Sequence, residues 1–303
     1  MNHCHTHNNS SSSQKIGRAF LIAVLVNFLF TVIEATFALY AHSSSLLADA
    51  GHNLGDVLGL IFAWGANYLQ AQQPSRRFSY GYKRTSVMAA FFNAVILIST
   101  AAIIAISAIS HLLHPHAVTE KIVMITAFIG IFLNAGTALL FRHGQHDMNV
   151  KGAFLHLLFD ALISLGVVLT AITVYFTGWY WMDPLVSLLI VTTIIGGTWF
   201  LFKRSLNLML DAVPHNLDIE KITHYLSTWP NVKEVHDLHV WGLSTTEIAL
   251  TSHLVVPSHH ICDEELLRIS KGLEEKFGIG HVTIQVERGN MPHEPCVIED
   301  AVL

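Results

Sequence analysis

Six long apolar stretches fill the first two-thirds of the chain, over residues 16–40, 46–70, 86–113, 122–141, 152–177 and 184–202. Each is long enough to cross roughly 30 Å of hydrocarbon as a helix. Beyond Arg18 near its start, the first is interrupted only by Asn27 and Glu34, and the third holds no Asp, Glu, Lys or Arg. After Arg204 the pattern changes to a polar–apolar mixture with shorter periods. Residues 218–228 predict a helix with Ile219, Ile222, Tyr225 and Leu226 on one side and Pro230 beyond its end. Residues 232–241 and 247–256 alternate as two strands joined by a short turn, and 263–277 predicts a second helix closed by Gly278. HVTIQVE (281–287) is a third strand. The pattern therefore predicts a membrane all-α domain of six transmembrane helices at 15–204. A cytoplasmic α+β domain of order αββαβ follows at 205–290, with polar tails at 1–14 and 291–303.

Composition supports the membrane class. Of 303 residues, 52% are apolar and 13% charged, against about a quarter charged in soluble domains. A net charge of −5 carries no basic patch of the kind that nucleic acid requires. Lys and Arg set the orientation. Lys15, Arg18, Arg76, Arg77, Lys83, Arg84, Arg142, Lys151, Lys203 and Arg204 fall on one side of the alternating spans, and Lys121 alone on the other. Positive charge accumulates on the cytoplasmic side, so both termini are expected there, in a multi-pass protein of a bacterial inner membrane. The basic residues of the 70–84 connection are read as anchors to lipid headgroups, with Lys83 or Arg84 also a candidate partner for Asp211. Cys4, Cys262 and Cys296 are too few and too scattered for a disulfide framework.

The second apolar stretch opens with LLADAGHNLGD (46–56), which places Asp49, His52, Asn53 and Asp56 at membrane depth. Ionisable groups there are expensive and mark function by default. His52 and Asp56 are four apart and share one helical face; His156 and Asp160, in HLLFD, repeat the spacing in the fifth stretch. A lone His in such a span is more often an interhelical hydrogen-bonding residue than a ligand, but two such pairs in different spans make a plausible His2Asp2 tetrahedral set for Zn²⁺. The imidazoles add a proton switch, because a metal-bound His must be neutral. Asp49 and Asn53 are given supporting roles, either lining the path or hydrogen-bonding helices, and Glu34 and Asn27 are read as polar packing or lining.

LLADAGHNLGD, FSYGYKR (78–84), HLLFD and HDLHVW (236–241) together resemble the zinc-exporting branch of the cation diffusion facilitator family, over nearly the whole chain. The resemblance implies a homodimer, a metallochaperone-like cytoplasmic fold, and Zn²⁺ export against inward H⁺ by alternating access at His52, Asp56, His156 and Asp160. It also implies that a His at position 52 favours Zn²⁺, leaving Cd²⁺ and Co²⁺ open as further cargo. In the cytoplasmic domain it points to His236, His253, His281 and Glu287 as a second metal site, of regulatory or stabilising use, with His259, His260 and Cys262 as weaker candidates. The N-terminal His3-Cys4-His5-Thr6-His7 reads either as a metal-capturing tail or as an incidental one. The 70–80 connection has no His, Asp, Glu or Cys, so no metal site is expected there. Two rivals to a secondary transporter are a metal-sensing membrane protein and an intramembrane metal-dependent hydrolase. The hydrolase would need an open coordination position, and no HExxH occurs.

Overall fold

The computed structural model describes residues 10–114, 117–140, 148–257 and 261–289. Six long helices come first: α1 (Ser10–Ala41), α2 (Ser44–Gln70), α3 (Thr85–Leu113), α4 (Glu120–Leu140), α5 (Met148–Thr177) and α6 (Met182–Met209). Five meet a length-and-apolarity test for crossing a membrane; α2 is as long, and its polar residues lower its hydropathy. Helix α1 starts at Ser10, inside the stretch expected as tail, and α6 runs to Met209, five residues past the expected end of the membrane domain at 204. The chain forms two compact units. One contains the chain up to Phe62 and Phe92–Phe200; the other contains Ala63–Phe91 and the chain from Leu201.

In the first unit, helix faces are sorted by residue size and polarity. Large apolar side chains such as Leu29, Phe37, Ile106, Phe132 and Phe176 are exposed, as expected for a surface solvated by lipid. Small and branched ones (Ala38, Ala48, Ala101, Ile104, Ala127, Val167, Val191) form the interior. On α2, Gly51, Gly55 and Gly59 form a seam against α3: a Cβ at Gly55 would lie 1.9 Å from Leu97 Cδ2. Small residues at this spacing let helix backbones approach closely. The start of α2 is fixed by a buried carboxylate. Asp183, in the first turn of α6, accepts hydrogen bonds from Ser43 Oγ at 2.6 Å and from the Ser44 backbone N–H at 2.7 Å. It thereby satisfies orphan donors of a helix N-terminus.

The second unit holds the C-terminal elements α7 (Ile219–Ser227), β1 (Glu234–Gly242), β2 (Ile248–Val255), α8 (Asp263–Phe277) and β3 (His281–Glu287). The order αββαβ matches the sequence pattern. Strand β2 lies at the centre, antiparallel to β1 and parallel to β3. Asp218 caps α7 by accepting from the Lys221 backbone N–H, and Gly278 ends α8 with a left-handed φ of 70°. Ile222, Leu226, Leu250, Leu254, Ile269 and Leu273, all fully buried, fill the space between the two helices and the sheet. Within the same unit, Lys83 pairs with Glu247, Arg84 pairs with Asp211, and the Thr245 backbone N–H donates to Ser86 Oγ at 3.2 Å.

Candidate metal sites

On α2 the polar residues His52, Asn53 and Asp56 lie three, four and seven positions beyond Asp49, so one stripe carries them all. The glycine seam occupies the neighbouring stripe, which lets α2 press on α3 while the polar stripe meets α1 and α5. His52 Nε2 lies 3.3 Å from Asp160 Oδ1 on α5 and 3.7 Å from Asp56 Oδ2. One ligand atom from each of the three lies within 4.8 Å of the others. Ligands held about 2 Å from a tetrahedral Zn²⁺ stand about 3.3 Å apart, so this cluster is close to metal-binding geometry. Asp160 is fully buried; His52 and Asp56 are about one-fifth exposed. His156 lies in α5 one turn before Asp160, but its side chain falls outside the described residues.

The residues given supporting roles are tied into the same region more closely than their spacing suggests. Asn53 Nδ2 donates to Glu34 Oε2 at 3.0 Å, and Ser164 Oγ donates to Asp49 Oδ2 at 2.8 Å. Glu34, Asp49, Asn53 and Ser164 are all fully buried. The sequence reading passed over Ser164 altogether. Its signal was present, because it continues the 156–160 spacing by one more turn.

In the sheet, strand register does what helical spacing does in the membrane. His236 on β1 is the cross-strand partner of His253 on β2, and Glu287 on β3 is a diagonal neighbour of His253. His253 Nδ1 lies 2.9 Å from Glu287 Oε1, and His236 Nε2 lies 3.2 Å from Glu287 Oε2. These three again offer ligand atoms within 4.8 Å of one another. Two imidazoles and a carboxylate, each partly or fully buried, fit Zn²⁺ by donor type. Burial works against ionisation of Glu287, but hydrogen bonds from Gln285 and His236 outweigh it and hold the carboxyl below its ordinary value.

His281, expected beside them, is not brought to this cluster. It starts β3, pairs in register with Ala249, is exposed, and sets its ring edge-on to Tyr80 at 5.3 Å. Six residues of extended strand, about 20 Å, separate it from Glu287. Asp237, which the sequence reading did not select, sits at a bulge between His236 and His239 with φ 51°; its Oδ2 is 3.5 Å from His253 Nε2 and its Oδ1 is 3.0 Å from His239 Nε2. Its carboxyl is held low, first by the hydrogen bond from His239. Cys262 is exposed and precedes α8, with its backbone N–H donated to Glu265 Oε2. His259, His260 and the 3–7 cluster lie outside the described residues.

Comparison with known proteins covers both parts. Residues 20–210 match the family described as cation efflux transmembrane domain, and 214–289 match the cation efflux protein cytoplasmic domain. The chain is 33% identical over 299 residues to the cation efflux system protein CzcD of Alcaligenes sp. (strain CT14), covering 98% of this chain and 92% of the relative. It is 33% identical over 300 residues to the zinc transporter ZitB of Escherichia coli (strain K12), covering 98% and 94%. It is 32% identical over 300 residues to a cadmium, cobalt and zinc/H(+)-K(+) antiporter of Bacillus velezensis, covering 97% and 95%.

Proposed function

This chain belongs to the cation efflux, or cation diffusion facilitator, family, and from that premise we propose that it exports Zn²⁺ from the cytoplasm in exchange for H⁺, with Cd²⁺ and Co²⁺ as further cargo. The observation that carries the reading is the meeting of His52 with Asp56 and Asp160 among buried helices. His156 completes the set as the fourth ligand. No resident Cys competes for the ion in the membrane stretches, so the site is borderline in softness and can release its cargo. Loading the metal requires neutral imidazoles, so Zn²⁺ and protons exclude one another at the same ligands.

The membrane domain spans 15–204 and the cytoplasmic domain 205–290, with both termini in the cytoplasm of a bacterial cell and the helices in its inner membrane. The chain works as a homodimer through the cytoplasmic domain, in keeping with the family of dimer-forming domains that 214–289 matches. His236, His253 and Glu287 hold a second Zn²⁺ that stabilises or regulates that domain. With its Nδ1 on the metal, His253 would donate its remaining Nε2–H toward Asp237, which would fix the ring. The basic residues Arg76 and Arg77 rest on lipid headgroups.

The test is uptake into inside-out vesicles. Zn²⁺ should accumulate only when a proton gradient is imposed, and should stop when the gradient is collapsed. Accumulation indifferent to the gradient would refute the exchange.

A further inference from the structure

Two carboxyl groups beside the membrane cluster take no part in the proposed coordination. Glu34 of α1 and Asp49 of α2 are both fully buried. One oxygen of each is satisfied, by Asn53 and by Ser164. The other oxygen of each, Glu34 Oε1 and Asp49 Oδ1, is buried without a donor. Asn53, which donates to Glu34, lies one helical turn beyond Asp49 on the same face of α2, so the two carboxyl groups are neighbours. Carboxylate oxygens are acceptors only, so two ionised groups would leave both atoms facing a lone pair in a medium of low dielectric. One proton held between them turns one oxygen into a donor and satisfies both.

Among the described residues, no Lys or Arg pairs with Glu34 or Asp49. Helices α2 and α3 contain no Lys or Arg, and those of the other helices (Lys15, Arg18, Lys121, Lys151, Lys203, Arg204) lie toward their ends. Among the described residues, the titratable groups that face the pair are His52 on α2 and Asp160 on α5. Helix α4 brings Gly130 there: a Cβ on it would stand 3.4 Å from Ser164 Oγ. The donors are also placed to report on the metal. Asn53 follows His52 directly, and Ser164 lies one turn beyond Asp160.

We propose that Glu34 and Asp49 form a proton-binding site that empties as the metal site fills. The proposal rests on the Zn²⁺/H⁺ exchange above and assigns part of the exchanged charge to groups other than the metal ligands. A divalent cation arriving between His52, Asp56 and Asp160 favours the ionised state of nearby carboxyls. The O–H bond of the pair then breaks, its electrons stay on the carboxylate oxygen, and the proton leaves to water on the side from which the metal came. When the metal departs on the other side, the O–H bond re-forms with a proton taken from there.

The test counts protons. Purified full-length protein in weakly buffered detergent solution receives ZnCl2, and a pH dye reads protons released while calorimetry reads Zn²⁺ bound. Glu34→Gln places an amide donor where the shared proton sits and cannot lose it. The variant should still bind Zn²⁺ but release about one proton fewer per chain than wild type. In proteoliposomes its flux should lose most of its dependence on the proton gradient. Asp49→Asn should give the same deficit and serves where Glu34→Gln does not fold. Wild-type proton release and gradient dependence that persist unchanged in a Zn²⁺-binding variant overturn the pair. A wild-type protein that moves Zn²⁺ without releasing any proton overturns the exchange itself.

Discussion

The protein gathers the same ligand types twice, on opposite kinds of scaffold. In the membrane cluster the candidate ligands are divided between α2 and α5, and side chains join the two at that point: His52 Nε2 to Asp160 Oδ1 at 3.3 Å. In the cytoplasmic cluster the ligands stand on adjacent strands of one sheet, where ladder hydrogen bonds fix His236 opposite His253 and place Glu287 diagonally. A small slide of one helix against another remakes the first ligand set, whereas the second changes only if the sheet does. Ligands on elements that can move suit an ion that must be let go; ligands on one rigid sheet suit an ion that is kept.

The comparison breaks most visibly at Asp160. Asp160→Ala should lower Zn²⁺ uptake into inside-out vesicles at least about 100-fold, because it removes a fully buried candidate ligand and the carboxylate 3.3 Å from His52. Zinc binding at the cytoplasmic cluster should survive in the same protein. Glu287→Gln should do the reverse, keeping flux within a few-fold while abolishing a Zn²⁺-dependent rise in unfolding temperature of the cytoplasmic domain. Equal loss of flux in both variants would mean that the two clusters work as one.

A mutation that loosens only the sheet tests the rigidity half of the argument. Leu250 on β2 is fully buried among Ile222, Leu226 and Leu273. Leu250→Ala should destabilise the domain by about 2–5 kcal/mol in denaturant unfolding and weaken the cytoplasmic metal with it. Uptake measured well below the unfolding midpoint should change little. His52→Asp sharpens the other half: it keeps the cluster's reach but replaces imidazole with a harder oxygen donor. Preference for Zn²⁺ over Cd²⁺ or Mn²⁺ should shrink by about tenfold in competition uptake. An unchanged preference would place selectivity outside residue 52.

Much of this was legible in the sequence because it rests on local periodicity. All six long helices follow from apolar length, and the αββαβ order follows from alternation and from the end signals at Asp218 and Gly278. The pairing of His52 with Asp56 is a spacing of four; its meeting with Asp160 was inferred from the repeat of that spacing. What escaped was set by register and by helix contact. His281 has the right residue type on the right strand, yet six positions of extended backbone carry it away from Glu287. Asp237 reaches His253 only because a bulge gives it φ 51°. Glu34 looked like polar packing because nothing in α1 announces that Asn53 of α2 will donate to it. Asp183, which falls just before the sixth apolar stretch, caps the start of α2, a contact that no local spacing announces.

The smallest expected effect concerns the ion pairs of the second unit, and it bears on whether the rigid half of the molecule needs them. Lys83 pairs with Glu247 next to the β1–β2 turn, and Arg84 pairs with Asp211 just past α6; all four side chains are at least one-third exposed. Exposed pairs contribute about 0–1 kcal/mol each, because water solvates both charges nearly as well when they are apart. Arg offers a planar fork that can grip a carboxylate through two N–H groups, while Lys presents a point charge on a flexible stem. The Arg84–Asp211 pair should therefore be the stronger, and its loss should be the less dependent on added salt. A double-mutant cycle over Arg84→Ala and Asp211→Ala, read by thermal unfolding of the full chain at low and high salt, should give a coupling of less than about 1 kcal/mol, and the Lys83–Glu247 cycle a smaller one. Coupling of several kcal/mol in either cycle would mean that the charges are shielded from water, and that the second unit is held by electrostatics as much as by its buried leucines and isoleucines.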